Sequence, residues 1–395
     1  MRIFLIFAAC AIAGGFALRV TDPIVPMVAG DFGIAASHAA LLTTCFAVPY
    51  AVAQLFLGPL GDRYGKLQCI RVCAVGLCVA LLASLLVSGF TALLATRVLA
   101  GIFAGGLIPL VLASLGDQFE LKERQVMIGR MLFAIISGQM LGSMLGGALG
   151  ASMGWWGALA SAAAVAAVTG VLAWVGLRAK AHLTTHTGGS AASALGGYKR
   201  VLENPKALWI YACVAAEGVL FFGFFPHIAA LLPSTSVMDS EVTARAGFVL
   251  GAFGAGGLLY AALVRQLVIR MGVPRMCLWG SVIGAACCMG LMAGPVVSVA
   301  AALFFAAGFG FYMLHNSLQT QATELAPSAR ASAVALFAFS FFAGQGVGPL
   351  IFGSLLKHLD KHGALMVLAV GIIVLGWVAV RRVCPPLELT KVPAS

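Results

Sequence analysis

The chain has 395 residues, of which 61% are hydrophobic and only 9% are charged. A soluble domain uses roughly 25% charged residues to cover its core, so this composition excludes a soluble globular protein and indicates a membrane protein. The formal net charge of +11 does not indicate a nucleic-acid partner, because the basic residues cluster between apolar segments. Continuous apolar segments without period-two alternation exclude a β-barrel, so the sequence predicts an all-α polytopic membrane protein.

At about 20 residues per membrane-spanning helix, the chain has room for twelve transmembrane helices. Most of the 24 Lys and Arg residues fall on the side that holds both termini, which predicts an inner-membrane protein with both termini in the cytoplasm. The twelve predicted spans are Ile3–Val28, His38–Leu60, Leu67–Val87, Phe90–Leu115, Val126–Leu149, Trp155–Leu177, Ala207–Leu232, Ala244–Ile269, Met276–Ala293, Val296–Gln319, Ala331–Leu355 and Gly363–Val380.

The domain organisation follows from a polar stretch and an internal repeat. Residues 180–206 are the longest polar stretch and predict a cytoplasmic linker between an N-terminal bundle, 1–179, and a C-terminal bundle, 207–383, with a cytoplasmic tail at 384–395. A duplicated six-helix unit predicts two pseudo-symmetric six-helix bundles with the substrate site between them. The residues that match at an offset of 206 are Arg124 with Arg330, Phe133 with Phe339, Gly138 with Gly344, Gln139 with Gln345, and Gly142 with Gly348.

Span one contains Arg19 and Asp22, which are three residues apart and share one face of the helix. Asp22 is predicted either to bind protons or substrate, or to be the counter-ion of Arg19 or of Arg97 in span four. An arginine inside an apolar span is costly unless it meets a partner or water, so Arg97 predicts a cavity. The alternative is an arginine that extends along the helix to the outer surface.

The connection between spans two and three reads Gly58-Pro59-Leu60-Gly61-Asp62-Arg63-Tyr64-Gly65-Lys66. A Gly followed four residues later by Asp-Arg, then by Gly and a basic residue, resembles the loop motif of the major facilitator superfamily. A generic basic loop explains the Arg and the Lys but not this spacing. The resemblance implies a conformational latch on this side of the membrane, formed by Gly58, Asp62, Arg63, Gly65, Lys66, Arg71 and Arg124 with an acidic residue at the end of span four, Asp117 or Glu120.

Spans four and five carry glycine motifs. The segment from Arg97 through Gly101 and Gly105 resembles the second motif of proton antiporters in this superfamily. Span five is similar to the antiporter motif of drug:proton exporters, although Ser143 stands where that motif usually has Pro. Glycines at four-residue intervals share one helix face, which we expect to pack against Gly247 and Gly251 of span eight; simple packing without a functional role is the alternative. The predicted helix-interface residues are Gly138, Gly142, Gly146, Gly147, Gly344, Gly348 and Pro349.

The second half offers four further polar candidates at membrane depth. Glu217 in span seven has no cation close in sequence, which favours proton binding over a fixed ion pair. His227 ends an aromatic segment of the same span. His315 and Asn316 stand in span ten, and His315 is predicted to bind substrate, to relay protons or to satisfy a neighbouring helix. With Asp22, Arg19 and Arg97, these residues are the candidates for proton coupling or substrate binding.

The sequence contains no HExxH or GxxxxGK[ST] motif, so it predicts neither an enzyme nor an ATP-driven pump, and it predicts no cofactor and no metal. The first hypothesis is a monomeric, proton-coupled exporter of small organic compounds, resembling the drug:proton antiporter branch of the superfamily. Its partners would be a small-molecule substrate, protons and membrane lipid, with no nucleic acid. One alternative is an importer or exchanger of a small organic anion, because Arg19 and Arg97 are both available to the cavity. The other is a sensor or scaffold that transports nothing.

Overall fold

The structure is a computed structural model that describes residues 2–118, 121–178, 191–233 and 240–384. Within these ranges the chain forms α-helices, with short 3-10 and π segments and no strand, which confirms the all-α prediction. Nine of the described helices are long and apolar enough to cross a membrane. Three of them, Met127–Gly176, Glu241–Met292 and Arg330–Val383, have 50, 52 and 54 residues. At 1.5 Å per residue each would be about 75 Å long, more than twice the thickness of the hydrocarbon core.

Each of these three long helices is interrupted once by a residue with positive φ. The interruptions are at Gly154 with φ 75°, at Gly272 with φ 72° and at Asp360 with φ 60°. Glycine adopts this conformation without a steric cost. Asp360 Oδ1 accepts a hydrogen bond of 2.8 Å from the Gly363 N–H, so this side chain caps the helix that follows. Each interruption separates two spans, and the nine helices therefore supply the twelve predicted spans.

The side on which span one begins is called the near side below, and the opposite side is called the far side. Spans five and six, eight and nine, and eleven and twelve are the paired segments of the three long helices. The helices are Arg2–Arg19 with Val25–Asp31 (span one), Ala36–Ala39 with Leu41–Tyr64 (two), Lys66–Ser84 (three), Phe90–Gln118 (four), Leu121–Gly176 (five and six), Ala207–Phe222 with Phe225–His227 and Ile228–Leu231 (seven), Ser240–Met292 (eight and nine), Val297–Thr323 (ten), and Arg330–Val378 with Ala379–Val383 (eleven and twelve).

Spans one and seven are not continuous helices. Span one is interrupted between Arg19 and Val25, where Pro23 removes a backbone donor, and span seven changes to a 3-10 turn at Phe225–His227, which contains Pro226. The predicted linker contains a helix, Ala191–Leu202. The irregular segments matter because Arg19 and Asp22 stand at the interruption of span one.

The buried apolar residues form two large clusters. The buried residues of one cluster lie between 6 and 177, those of the other lie between 201 and 384, and partly buried Phe342 packs against both. Large apolar side chains such as Leu208, Ile269 and Val175 are about three-quarters exposed on the outside of the helices, where lipid is the solvent that suits them. This separation of the cores agrees with two bundles, while the limits of the domains at 179/180, 206/207 and 383/384 remain predictions.

The two halves are in direct contact on the far side. A Cβ atom added to Gly147 in span five would lie 2.7 Å from Gly247 Cα in span eight, so backbone meets backbone there. Thr44 Oγ1 in span two donates a hydrogen bond of 2.7 Å to the Gly346 carbonyl in span eleven. The rings of Tyr50 and Phe342 are 4.4 Å apart between the same two spans. Access from the far side therefore requires these contacts to separate.

The glycine ridge of span five packs against span one rather than against span eight, so the expected partner was wrong. A Cβ atom on Gly142 would lie 2.6 Å from the Phe16 carbonyl oxygen within the same half. A four-residue spacing determines which glycines share a face but not which helix meets that face. Gly147, beside the ridge, makes the contact with span eight. The neighbouring contacts are Gly138 with Ile12, Gly146 with Val20, and, in the second half, Gly344 with Ala215 and Gly348 with Gly223.

Candidate functional site

Arg19 lies at the interface between the two halves and is 1% exposed. Its Nη2 donates a hydrogen bond of 2.6 Å to Gln345 Oε1 in span eleven, and its Nε donates one of 3.4 Å to Gln139 Oε1 in span five. Its Nη1 lies 3.4 Å from Asp22 Oδ2. The guanidinium carbon is 4.2 Å from the centre of the Phe222 ring, within cation–π distance. One side chain of the first half thus contacts both halves.

Asp22 is fully buried and stands between two arginines. Its Oδ1 accepts a hydrogen bond of 2.8 Å from Thr43 Oγ1, and its Oδ2 pairs with Arg19. Arg97 is fully buried as well and does not reach the far surface. Its Nε donates to the Leu42 carbonyl at 3.2 Å, its Nη2 donates to the Ala17 carbonyl at 3.0 Å, and its guanidinium stacks on Phe46.

We call Arg19, Asp22, Thr43 and Arg97 the arginine cluster. Two arginines and one aspartate leave it with one excess positive charge. Arg97 Nη1 has no hydrogen-bond partner among the described residues. A buried charge is costly without compensation, so additional negative charge beside the cluster would stabilise it.

We expect Asp22→Asn to destabilise the folded protein by about 3 kcal/mol, because the isosteric amide leaves both arginines without a counter-ion. Thermal unfolding of the purified protein in detergent measures this loss. Thr43→Val removes one hydrogen bond to the same carboxylate and serves as the graded control, with a smaller loss. Equal stability of Asp22→Asn and the parent would show that Asp22 does not neutralise the arginines.

Glu217 and His315 form a second buried polar pair, in the C-terminal half. Glu217 Oε2 and His315 Nδ1 are 2.9 Å apart, and the glutamate is fully buried. Glu217 Oε1 has no hydrogen-bond partner among the described residues. The other titratable groups in electrostatic contact with Glu217 are Tyr312, Cys213 and Cys277, and none of them carries a positive charge. A buried carboxylate is costly without compensation, and the His315 imidazole is the polar group that contacts it.

Aromatic rings connect these two polar sites. The Phe222 ring, on which Arg19 stacks, contacts the rings of Phe311 at 5.0 Å and Phe341 at 5.6 Å. The same two rings contact the His315 imidazole at 5.1 and 4.5 Å. A packed path therefore runs from the guanidinium of Arg19 to the pair of Glu217 and His315.

A small cavity of about 10 Å³ lies beside Arg19. Arg19 is the single charged residue of its lining, and four aromatic rings contribute to the walls. This is about the room that one water molecule needs and far below the roughly 300–1,000 Å³ of pockets for drug-sized ligands, so a small organic molecule fits only when the helices around the site separate. The lining residues are Arg19, Ile136, Gln139, Met140, Ser143, Phe222, Phe225, Leu250, Phe253, Gly254 and Tyr312.

The remaining polar candidates contact neighbouring helices. His227 Nε2 lies 3.1 Å from the Pro349 carbonyl oxygen, between spans seven and eleven. Asn316 Nδ2 donates a hydrogen bond of 2.8 Å to the Tyr260 hydroxyl, between spans ten and eight. His227 and Asn316 are therefore not among the residues that line the cavity, whereas Arg19 lines it directly.

The structure describes only part of the predicted latch. Gly65, with φ 90°, forms the near-side turn before Lys66 begins span three. Arg71 is 5% exposed and donates hydrogen bonds of 2.6 Å to Gln68 Oε1 and 3.2 Å to the Trp174 carbonyl. Glu120 lies outside the described residues. The structure does not describe the side-chain contacts of Gly58, Asp62, Asp117 and Arg124. The Arg63 guanidinium contacts the ring of Tyr64.

Several residues of the site were not identified from the sequence. Gln139 and Gln345 entered only as matching positions of the repeat, yet both accept hydrogen bonds from Arg19. A polar side chain repeated at the same depth of two related spans was the available signal. Phe222 and Tyr312 were indistinguishable from lipid-facing aromatic residues, because the sequence does not say which residues face the interface.

Comparison with known proteins places these features in context. The chain matches the family model of the Major Facilitator Superfamily over residues 6–349. It is 20% identical over 368 residues to the uncharacterized MFS-type transporter YybF of Bacillus subtilis (strain 168), covering 92% of this chain and 88% of that protein. It is 31% identical over 126 residues to a bacillibactin exporter of the same organism, which covers 30% of this chain and 31% of that protein. The chain thus spans about a third of that relative's length.

Among solved structures, the fold is similar to a point mutant of the nucleoside transporter NupG. The TM-score is 0.75 at 11% sequence identity, and the alignment covers 95% of this chain and 98% of that one. At this level of identity the similarity concerns the fold alone.

Proposed function

The chain belongs to the Major Facilitator Superfamily, and on this premise we propose that it is a proton-coupled secondary transporter that exports small organic compounds by alternating access. Membership of the family indicates a membrane transporter rather than an enzyme. The proposal places the protein in the inner membrane with the near side in the cytoplasm, in keeping with the excess of basic residues on that side.

The observation that carries proton coupling is the pair of Glu217 and His315. A carboxyl group with one unpartnered oxygen, buried beside an imidazole, is stable in a protonated form, and its ionised form needs compensation. Aromatic rings pack continuously from His315 to Arg19, so a change in the protonation of Glu217 and His315 can alter the packing at the cavity between the halves. We propose that proton binding at this pair changes the packing around the cavity and so the balance between the two conformations.

Export rests on the span-four and span-five motifs, which resemble those of drug:proton antiporters, and on the partial similarity to an exporter. Ser143 in place of the usual Pro weakens the match in span five. The excess positive charge of the arginine cluster favours the second candidate, an importer or exchanger of a small organic anion. A sensor or scaffold without transport is the third, and it predicts no flux at all.

Reconstitution into proteoliposomes with an imposed pH gradient tests the proposal. An antiporter accumulates substrate inside when the interior is more acidic, because outward proton flow drives inward substrate flow; a symporter accumulates it when the exterior is more acidic. We expect accumulation from a panel of small organic compounds with an acidic interior, abolished by nigericin and absent from protein-free liposomes. Accumulation only with an acidic exterior would support import, and no protein-dependent flux of any compound would contradict the proposal.

A further inference from the structure

We infer that the substrate carries a carboxylate or similar anionic group beside an aromatic ring, and that Arg19 with Phe222 recognises it. This inference rests on the proposed transport function, which gives the cavity a substrate. It starts from the charge of the lining, where Arg19 is the single charged residue and no acidic residue is present among the described residues. A cavity with this lining favours an anion and disfavours a cation.

The charge of the surrounding protein supports the same conclusion. Asp22 is the one acidic residue of the arginine cluster and is in electrostatic contact with both Arg19 and Arg97. Its distance of 3.4 Å from Arg19 Nη1 is longer than the roughly 2.7–2.9 Å of a strong charge-assisted hydrogen bond. A single carboxylate at this distance does not neutralise two buried guanidinium groups. A bound anion would bring the cluster close to neutral.

The donors that remain on Arg19 match a carboxylate. A guanidinium group has five N–H donors, and the three hydrogen bonds to Gln139, Gln345 and Asp22 use three of them. One N–H on each Nη therefore lacks a partner among the described residues. Two parallel N–H groups form the paired contact that an arginine makes with the two oxygens of a carboxylate.

The aromatic component follows from the walls of the cavity. Phe222, Phe225, Phe253 and Tyr312 line it, and the first three contact one another at centroid distances of 4.8 to 5.5 Å. Aromatic rings favour offset or edge-to-face contact with another ring. Once the halves separate enough to admit it, a flat ring with an attached anion would place its charge on Arg19 and its ring among these side chains, at the interface where Gln345 of the second half contacts Arg19.

Ligand-induced stabilisation of the purified full-length protein tests this inference without a transport assay. The probes are benzoate, its neutral analogue benzamide, the cation benzylamine and the non-aromatic anion cyclohexanecarboxylate, at equal concentration and ionic strength. We expect benzoate to raise the unfolding temperature most, cyclohexanecarboxylate less, and benzamide and benzylamine least. Stabilisation by benzamide or benzylamine equal to that by benzoate, or no stabilisation by any probe, would overturn the inference.

Variants assign the effect to the site. Arg19→Gln should weaken benzoate binding by about tenfold or more, since it removes two hydrogen bonds to a charged group. Arg270→Gln removes the same charge from an exposed near-side position and should leave benzoate binding unchanged. Phe222→Leu should remove the preference for benzoate over cyclohexanecarboxylate, and it remains informative if Arg19→Gln fails to fold. Unchanged benzoate binding in Arg19→Gln, or an unchanged preference in Phe222→Leu, contradicts the assignment.

The two proposals fail separately. If the protein binds benzoate with these preferences but shows no proton-driven flux, the anion site is supported and the proposed function is contradicted. If the protein shows proton-driven flux of neutral or cationic compounds and benzoate changes neither stability nor flux, the proposed function is supported and the anion site is contradicted.

Discussion

The Glu217→Gln variant is expected to lose the dependence of transport on the pH gradient while it still exchanges substrate across the membrane without a gradient. Gln has nearly the shape of Glu and can still contact His315, but it cannot take up or release a proton. If this carboxyl couples protons to transport, the variant loses gradient-driven accumulation and retains counterflow exchange. Proteoliposome flux with and without an imposed gradient measures the two activities separately.

The matched control is Glu324→Gln, which removes the same charge from an exposed position near the end of span ten. Glu324 pairs with Arg330 at the surface, at a distance of 3.3 Å, and lies outside the cavity lining. Surface pairs of this kind contribute little to stability. We expect this variant to accumulate substrate like the parent. Gradient-driven accumulation by Glu217→Gln at the rate of the parent would show that Glu217 is a structural residue and not the coupling site.

The second large effect is expected from Gly147→Leu at the far-side contact between the halves. A Cβ atom at this position would lie 2.7 Å from Gly247 Cα and 2.8 Å from the Thr243 carbonyl oxygen, both in the other half. Because these neighbours are backbone atoms, they move only if spans five and eight separate. The leucine therefore holds the far side open, and the protein should fold but transport nothing.

Gly142→Leu is the matched control, because it puts the same side chain on the same span but inside one bundle. Its Cβ atom would lie 2.6 Å from the Phe16 carbonyl oxygen and 2.9 Å from Phe16 Cα in span one. The bundle itself must distort, so this variant should unfold at a clearly lower temperature than Gly147→Leu. Transport by Gly147→Leu at the parental rate, or the reverse order of stability, would contradict the assignment of these two contacts.

The two halves share a helical repeat but differ in the side chains at equivalent positions. Gly15 of span one faces Gln139, and Gly218 of span seven faces Gln345, so the repeat relates Gly15 to Gly218. The same shift relates Arg19 to Phe222 and Asp22 to Phe225. The first half therefore supplies the charged groups at positions where the second half supplies aromatic rings. Arg19 stacks on Phe222, the residue at its own position in the repeat.

Much of the fold and part of the site were predictable from the sequence. Apolar length predicted the twelve spans. A three-residue spacing predicted that Arg19 and Asp22 lie close together, although Asp22 stands in the interruption of span one and not on its helix. The contact between Glu217 and His315 was not predictable, because the two residues are 98 positions apart and nothing local relates span seven to span ten. The partner of the glycine ridge was wrong for the same reason, since helix packing at a distance determines it.

Alternating access requires the halves to move about the cavity so that one side opens as the other closes. Distances between spin labels at far-side positions Met153 and Val296, one in each half and both about two-thirds exposed, test it most directly. Each site would be changed to Cys in a background without the 10 native cysteines. A near-side pair at Tyr64 and Ile269, also exposed, reports the opposite face.

We expect two distance populations for each pair. Between mildly acidic and mildly alkaline buffer, the far-side distance should lengthen as the near-side distance shortens, or the reverse, and Glu217→Gln should remove this response to pH. A single distance for each pair that is the same in both buffers, in a protein with demonstrated transport, would contradict the proposed motion of the halves.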